Sequence, residues 1–459
     1  MPLGRAVAAC APLVALMLVA GGGGCGSSPS RTGADAGGQG GGSGAGGRGG
    51  AVGAAGRGGF GGTSGGGAGG TSVVGGAGGG GAGVAGAGGA AGHFDAGDAG
   101  VFPALEMNDV TILAPLPQSG ATPVLLRGSD LADDGTALVP QALFDRLVND
   151  SSRGQPILSS DTYGRLQLVA VRFDLCDRHL PGTCPEAEDA RMRLVFQPIL
   201  DGGAATDVGF HAFYAIGNDE IAAAVAALRE LAATAPPQPG ALRVSPALGA
   251  ATSASYATKL RAFVKRYGGD ARIVRLTMNA QPGIFAQVRW ALRGVEKQGL
   301  TFADMTIVGA TDTAESVILN GTAGYDVMPM TDTPLGLLGA LKPATFAAAD
   351  ATTKRDDLAA LVAAENPMSN TAETVACVAC HVSTVVMNAR AMSAAIDPLT
   401  LPGRYTSRFE LSVAGGKSAV TQGTLRALGY LGKDPMISQR VVNETAQTLT
   451  EIEDRYPAR

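Results

Sequence analysis

The stretch 166-LQLVAVRFDL-175 decides the fold of this chain, together with residues 192–199, MRLVFQPI. Both stretches are rich in apolar and β-branched side chains, and in the second one every second residue, Met192, Leu194 and Phe196, is apolar. A period of two is typical of a strand, because successive side chains of a strand point to opposite faces. We therefore predict that both stretches are strands of a sheet.

Further strand-like and helical segments lie on either side of these two strands. Residues 110–116 and 272–278 have a strand-like composition, whereas residues 219–233 and 255–267 have the apolar spacing of helices. Residues 287–298 fit either structure. A sheet with a few helices packed on it buries the apolar sides of both kinds of element. We therefore predict an α+β domain.

The first residues have the layout of a secretory signal. In residues 1–25, Arg5 precedes an apolar run at positions 6–20, and a glycine run then leads to Cys25. The apolar run is shorter than a membrane-spanning helix needs. The end of this segment looks like the lipobox of bacterial lipoproteins, although Gly22 stands where a leucine-like residue is usual. We predict export to the periplasm, outer membrane or cell surface, with a membrane anchor at the lipidated Cys25; simple signal cleavage is the alternative.

The segment from residue 26 to residue 100 is a low-complexity stretch of glycine, alanine and serine. Positions 21–100 contain 40 of the 69 glycines of the chain. Such a composition has too few large apolar side chains to form a core. As a flexible coil it would span on the order of 50 Å. We predict a disordered tether over residues 26–100, with a functionless insertion as the alternative.

The remaining residues, 101–459, have the composition of a folded protein. Their number favours two domains over a single core, and the pattern becomes helical near residue 349. We predict an α+β domain of unknown role at 101–348 and a second domain at 349–459. The net charge is −5, and no basic stripe is interleaved with aromatic residues, so we expect no nucleic-acid partner.

Two cysteines of the first predicted domain are close in sequence. Cys176 and Cys184 flank a segment that contains the turn-forming pair 181–182, Pro-Gly. In an oxidising compartment such a pair forms a disulfide that closes the short loop. A metal site that includes His179 is the alternative. We predict the disulfide.

The sequence Cys377-Val378-Ala379-Cys380-His381 is a C-x-x-C-H motif, the attachment signature of c-type haem. Two thiols about one helical turn apart can each add to a vinyl group of haem, and the adjacent imidazole then reaches the iron. We therefore predict covalent haem attachment through Cys377 and Cys380, with His381 as the proximal iron ligand.

The same motif is compatible with a redox dithiol, a structural disulfide or half of a zinc site. Structural zinc needs four ligands, and the sequence contains no second C-x-x-C and no H-x-x-x-H pair. The residues on either side of the motif also lack the βαβ pattern that accompanies a thioredoxin-like dithiol. These observations favour haem attachment.

The residues after position 349 have helical patterns. We predict helices over 383–396, 421–431 and 438–453, which together give a small all-α domain. This domain resembles mono-haem c-type cytochromes of the class I kind, in which the motif comes early, helices surround it and a terminal helix packs back. The resemblance covers roughly the last 100 residues, and within it the motif alone is specific.

The resemblance implies one haem c whose sixth iron ligand is usually a methionine, a soft ligand that raises the reduction potential. Met436, just before the predicted terminal helix, matches that position best. Met368, another methionine or an open site are the alternatives. A second histidine ligand would have to be His179 or His211. Arg404, Arg408 and Arg440 are candidate partners for the haem propionates, with an ordinary surface charge as the alternative for each.

Residues 101–348 show no catalytic motif. Within residues 101–348 there is no G-x-S-x-G, no Walker loop and no H-E-x-x-H. His211 stands beside Phe210 and near Phe213, without an accompanying nucleophile motif. We predict that it is a partly buried sheet residue rather than a catalytic base.

Together these features predict a membrane-tethered electron carrier rather than an enzyme. Its iron would cycle between the ferric and ferrous states and exchange electrons with a partner protein that the sequence does not identify. One alternative is a haem enzyme such as a peroxidase with an open distal site. Another is a surface binding or structural lipoprotein in which the two cysteines of the motif form only a disulfide.

Overall fold

The described part of the chain forms one compact unit. The predicted signal segment, the predicted lipidation site Cys25, the predicted tether and Cys184 lie outside the described residues. Our computed structural model describes residues 103–118, 123–150, 155–156, 158–180, 183, 190–249, 254–280, 289–307, 314–320, 324–328, 337–371, 373–414 and 427–458.

An antiparallel sheet is the centre of the fold. Within the described residues the strands of this sheet are β1 Thr111–Leu113, β4 Leu166–Asp174, β5 Arg191–Pro198, β6 Val208–Ala215, β7 Ile273–Ala280, β8 Arg289–Gln298, β9 Thr301–Asp304, β10 Ala314–Asn320 and β11 Gly324–Met328. Eight of these nine strands lie side by side in the order β1-β4-β5-β6-β7-β8-β10-β11, and β9 pairs with β8. Two further pairs stand apart: β2 Asn149–Asp150 with β3 Gln155–Pro156, and β12 Leu428–Leu431 with β13 Asp434–Ile437. The four predicted strands are confirmed, and the ambiguous segment 287–298 is a strand from Arg289.

The helices precede, interrupt and follow the sheet strands. Their bounds are α1 Met107–Val110, α2 Gln141–Val148, α3 Ile221–Ala232, α4 Ala254–Tyr267, α5 Leu337–Leu341, α6 Pro343–Ala348, α7 Ala351–Ala364, α8 Cys377–Ala394 and α9 Gln439–Arg455. The helices predicted over 219–233, 255–267, 383–396 and 438–453 are confirmed. The α+β class is confirmed as well, because helices pack on an antiparallel sheet.

Two hydrophobic clusters cover the sheet. The first joins strand β1 and strands β4 to β8 to helices α2, α3, α4 and α9, and Leu194, Leu260 and Leu449 are fully buried in it. The second joins strand β8, through Trp290 and Leu292, to helices α5 to α8. Because α9 and α8 each share a cluster with the sheet, the boundary predicted between residues 348 and 349 lies inside one compact unit.

The C-terminal part is not all-helical. Residues 421–431 were predicted to be helical, but Leu428–Leu431 is strand β12, paired with β13. The backbone N–H of Tyr430 donates to the Gln197 side-chain oxygen at 2.6 Å, and the Gln197 amide donates back to the Tyr430 carbonyl at 2.9 Å. Gly429 has a φ of 132°, which a helix does not allow. Docking on β5 therefore overrides the local pattern, and the all-α domain is not confirmed.

None of the helices in the described residues is long and apolar enough to cross a membrane.

Candidate functional site

The C-x-x-C-H motif forms the first turn of helix α8. Ala376 has extended backbone angles and is the N-cap, so Cys377 is the first helical residue. Cys380 lies three residues later and therefore on the same side of the helix. Both cysteines are partly exposed, and neither is disulfide-bonded. The helix thus presents both thiols and the neighbouring imidazole from one turn.

The ring of His381 is anchored to the sheet. Its Nδ1 atom lies 3.3 Å from the side-chain amide of Asn279 on strand β7. A half-turn of that amide exchanges its nitrogen and oxygen, so Asn279 can either donate to Nδ1 or accept from it. When the amide oxygen accepts the Nδ1 proton, Nε2 carries the lone pair that binds a metal. In that orientation the contact would hold the ring as metal-binding histidines are held, by an oxygen atom that accepts the second ring N–H.

A cavity separates the motif from the sheet. Cys377, Cys380 and His381 line one side, and the sheet contributes His211 and Asn279. The cavity has a volume of about 140 Å³, and the unfilled space including its open mouth is about 890 Å³. Binding sites for drug-sized ligands and cofactors occupy about 300–1,000 Å³. At about 140 Å³ the cavity is smaller than such a site, so an organic cofactor attached to the motif would have to extend through its open mouth.

The strand register determines which sheet residues face this cavity. His211 on β6 pairs with Thr277 on β7, and Asn279 follows Thr277 by two residues. Residues that oppose each other, and residues two apart on one strand, share a face of the sheet. Since Asn279 contacts His381, the side chain of His211 also faces the helix α8 side. His211 is 9% exposed.

Arginines from neighbouring strands make one wall of the cavity cationic. Arg193 on β5 and Arg275 on β7 lie 4.7 Å and 4.3 Å from the ring centre of Phe213 on β6. Both also bind the buried carboxylate of Asp177, Arg193 at 3.0 Å. Burial raises the pKa of Asp177, but Arg275 and Arg193 outweigh it and hold that pKa below its usual value. The carboxylate thus holds two cations in place beside the cavity.

A second carboxylate extends this charge cluster to helix α9. Glu444 lies 2.5 Å from Arg172 on β4 and 2.5 Å from Arg440 on its own helix. Burial raises the pKa of Glu444, but Arg172 and Arg440 outweigh that effect and hold it well below its usual range. Arg440 also donates to the carbonyls of Ala364 and Asn370. The cluster therefore fastens α9 to the sheet and to the segment before the motif.

Burial raises the pKa of the Cys380 thiol, and Arg440 opposes that shift without reversing it. This thiol is therefore protonated at neutral pH in the protein as it stands, before any bond to a cofactor.

A buried carboxyl group contacts helix α8 one turn after the motif. Glu365, the C-cap of α7, accepts a hydrogen bond from Ser383 at 3.4 Å and another from Thr384. Burial raises its pKa to about 7, although the two hydroxyl groups favour the charged form. It faces a different cavity, which Arg404 and Tyr405 also line. Sequence reasoning did not single out this residue.

The methionines proposed from the sequence lie away from the cavity. Met436 is fully buried in strand β13 as part of the second hydrophobic cluster, and it is not among the described residues that line the cavity. Met368 is 48% exposed. Met278 and Met305 do line the cavity. Met436 as an iron ligand stays a prediction.

The remaining predicted site residues are only partly within the described chain. Cys176 is disulfide-bonded, while Cys184 and Cys25 lie outside the described residues, so the pairing of Cys176 with Cys184 stays a prediction. His179 lines a small separate pocket of about 30 Å³. In the described ranges, no group of three or more His, Cys, Asp or Glu side chains is arranged to hold a metal ion.

Three residues of the cavity were not predicted as site residues: Asn279, Arg193 and Arg275. Nothing in their local sequence distinguishes them from other polar residues of strands, because strand pairing alone brings them to the motif. His211 had a weak signal, since the sequence placed a histidine among aromatic residues of a sheet. That prediction, a partly buried sheet residue, is confirmed.

Comparison with protein-family models, curated proteins and solved structures gave no match for this chain.

Proposed function

We propose that this protein transfers single electrons through one covalently bound haem c. One observation carries the proposal: both thiols and the imidazole of the C-x-x-C-H motif line the same cavity. The thiols of Cys377 and Cys380 would form thioethers with the haem vinyl groups, and His381 would bind the iron through Nε2. Haem held in this way supplies one-electron chemistry at its iron.

Several side chains around the motif suit this cofactor, although the cavity itself, about 140 Å³, is smaller than haem, which would extend through the open mouth. Arg193, Arg275 and Arg440 line it and carry the charge that carboxylate propionates would need. Asn279 holds the His381 ring, and acceptance of its Nδ1 proton would make the imidazole a stronger ligand.

The proposal includes export and membrane attachment through the N-terminal segment. Covalent haem attachment suits a compartment outside the cytoplasm, and the sequence of residues 1–25 has a signal layout that ends at Cys25. Lipidation of Cys25 would hold the domain on a membrane, in the periplasm or at the cell surface. The tether at 26–100 would let the domain reach a redox partner protein. The cytochrome-like arrangement of residues 349–459 belongs to the same proposal.

Covalent haem is the decisive test. The full chain is exported in a host that has the c-type maturation system, beside a Cys377→Ala, Cys380→Ala double variant. We expect haem staining of the denatured wild-type band and a pyridine haemochrome spectrum, both lost in the double variant. A colourless wild-type protein that is exported and folded contradicts the proposal and favours the binding or structural lipoprotein.

The cavity also supports a second function, a haem peroxidase. His211 and Arg193 line it, and a polar distal pocket with hydrogen-bond donors favours activation of a bound oxidant. In that case His211 would act as an acid–base group beside an iron with an open position. Rapid reaction of the ferric protein with hydrogen peroxide, together with carbon monoxide binding after reduction, would favour the peroxidase. A carrier with six iron ligands resists both.

A further inference from the structure

We infer that the cavity lined by Glu365 binds a small organic ammonium ion, with the Glu365 carboxylate as the group that recognises the positive charge. We call this space the Glu365 cavity. It is separate from the cavity beside the C-x-x-C-H motif, since the two share no described lining residue. Binding there would not require haem. It would give a role to a buried carboxyl group that electron transfer does not use.

Three helices and a loop contribute to the Glu365 cavity. Glu365 caps helix α7, and Asn388 lies on helix α8. Helix α9 contributes Gln439 and Asn443, which are four residues apart and therefore share a face of the helix. Further lining residues come from the loop 398–411. Spaces between packed helices are common positions for small-molecule sites.

The size of the Glu365 cavity is that of a binding site. Its volume is about 360 Å³, whereas the cavity beside the motif has about 140 Å³. Ligand sites occupy about 300–1,000 Å³, and the packed interior of a protein leaves few voids larger than a water molecule. The Glu365 cavity lies at the lower end of that range, so it suits a small molecule.

Glu365 offers one unused carboxylate oxygen. Its Oε1 atom accepts hydrogen bonds from Ser383 and Thr384, whereas no described residue donates to Oε2. The residue is 5% exposed, which places the carboxylate at the closed end of the cavity. A buried carboxylate is stabilised by a partner that carries positive charge and donates hydrogen bonds. An ammonium group does both.

Two amide side chains add unused acceptors to the lining. The Gln439 amide nitrogen donates to the Leu411 carbonyl at 3.2 Å and to the Asn443 side chain at 2.9 Å, but its oxygen accepts from no described residue. The Asn388 amide makes no hydrogen bond within the described chain. An ammonium group has three N–H donors. The cavity thus offers as many unused acceptors, on Glu365, Asn388 and Gln439, as the ion has donors.

Apolar side chains supply much of the remaining lining. Val362 and Met387 come from helices α7 and α8, and Leu399 and Leu411 come from the loop. An apolar body attached to the ammonium group would cover these side chains and gain free energy from burial. The ligand class is therefore a primary amine with a short apolar chain.

The burial of each charged group favours an ammonium ion over a carboxylate as the ligand. Arg404 also lines the cavity, but it is exposed, and solvent and salt screen an exposed charge more than a buried one. Burial raises the pKa of Glu365 to about 7, although Arg440 and Arg404 favour its charged form. Arg440 is already paired with Glu444 at 2.5 Å. The buried carboxylate therefore selects the charge of the ligand.

The test measures binding of three probes to the exported full chain by isothermal titration calorimetry at about pH 8, where Glu365 is largely ionised. The probes are hexylammonium, hexanoate and hexanol, which share an apolar chain and differ in the head group. We expect saturable binding of hexylammonium at one site per chain. Hexanoate and hexanol should bind at least about tenfold more weakly, since a hydrogen bond to a charged group is worth at least that factor.

Two substitutions and a matched control locate the site. Glu365→Gln keeps the shape but removes the charge, and should weaken hexylammonium binding by more than about tenfold. Asn388→Ala should weaken it severalfold without loss of stability, because this amide has no hydrogen bond within the described chain to lose. Asp356→Asn, at an exposed acid of helix α7, should bind like the wild type.

Four results would overturn the inference. They are no binding of hexylammonium at millimolar concentration, equal binding of the three probes, a preference for hexanoate that is lost in Arg404→Ala, and hexylammonium binding that persists in Glu365→Gln. The last result would place the bound amine elsewhere, for example on a haem iron. Absence of haem on the denatured gel contradicts the proposed function alone and leaves this test unaffected.

Discussion

The buried carboxyl group of Glu365 contributes to the pH dependence of the stability of this protein, and replacement by glutamine should remove that contribution. Glu365 is 5% exposed, and its hydrogen-bond donors are Ser383 and Thr384 on the helix of the motif. Glutamine has nearly the same shape and can still accept from both hydroxyl groups, but it does not ionise. The difference between the wild type and Glu365→Gln therefore measures the effect of the carboxylate charge on stability.

The size of this change in the free energy of unfolding follows from the pKa of Glu365. Burial raises the pKa of Glu365 from 4.5 to about 7, and each unit corresponds to about 1.4 kcal/mol. The native state then binds the proton more tightly than the unfolded chain does. The protonated carboxyl group therefore stabilises the native state fully below about pH 4.5. This contribution falls as the pH rises and is lost above about pH 7. The total loss is about 3 kcal/mol.

Denaturant unfolding of the full chain, followed by far-ultraviolet circular dichroism, measures the effect at about pH 5 and about pH 8. We expect the wild type to lose about 3 kcal/mol more than Glu365→Gln between these values. Asp356→Asn, at an exposed acid on the same helix α7, is the matched control and should behave like the wild type. Equal pH dependence in wild type and Glu365→Gln would refute the reasoning.

Substitutions at three further sites test the packing of the fold, all by denaturant unfolding. Asp177→Ala removes the carboxylate that holds Arg193 and Arg275, so we expect a loss of about 3–5 kcal/mol; a loss below about 1 kcal/mol contradicts this. Gly269 has a φ of 96°, and an added Cβ there would clash with the carboxylate of Asp134. We expect Gly269→Ala to destabilise the protein by about 1–3 kcal/mol. Gly135 has a φ of 80° but open space around it, so Gly135→Ala should cost less. Met436 is fully buried. We expect Met436→Ala to lower the free energy of unfolding by about 2–5 kcal/mol and Met436→Leu by less than about 1.5 kcal/mol. Equal losses for the two variants would show that Met436 is not there to fill the core.

The regular elements were predictable where one local pattern dominates. Strands β4 and β5 follow from alternating or continuous apolar residues, and helix α4 follows from a helical apolar spacing. Strand β8 was ambiguous. Its Trp290 and Leu292 are buried in the second cluster, while Val295, on the other face of the strand, is buried in the first. Because both faces of β8 are covered, its sequence lacks the regular alternation of polar and apolar residues seen in a strand with one face in solvent.

The prediction failed where a distant contact decides the backbone. Residues 428–431 belong to the run 421–431 that was predicted to be helical. The Gln197 side chain instead holds Tyr430 by two backbone hydrogen bonds, and the Tyr430 hydroxyl donates to the Ala114 carbonyl at 2.6 Å. No window of sequence around Tyr430 contains those partners. Helix propensity is a weak preference per residue, and such tertiary contacts exceed it.

By itself, the sequence determined the chemistry of the motif, because the thiols and imidazole of Cys377, Cys380 and His381 are adjacent and any helical turn groups them. It also determined the α+β class, because the strand and helix periods are local. Only the tertiary structure decided what faces the motif. His211 and Asn279 reach it through the pairing of β6 with β7, and a shift of that pairing by one residue would turn the side chains of one strand to the opposite face. Register is a property of contacts between distant segments, which local patterns do not encode.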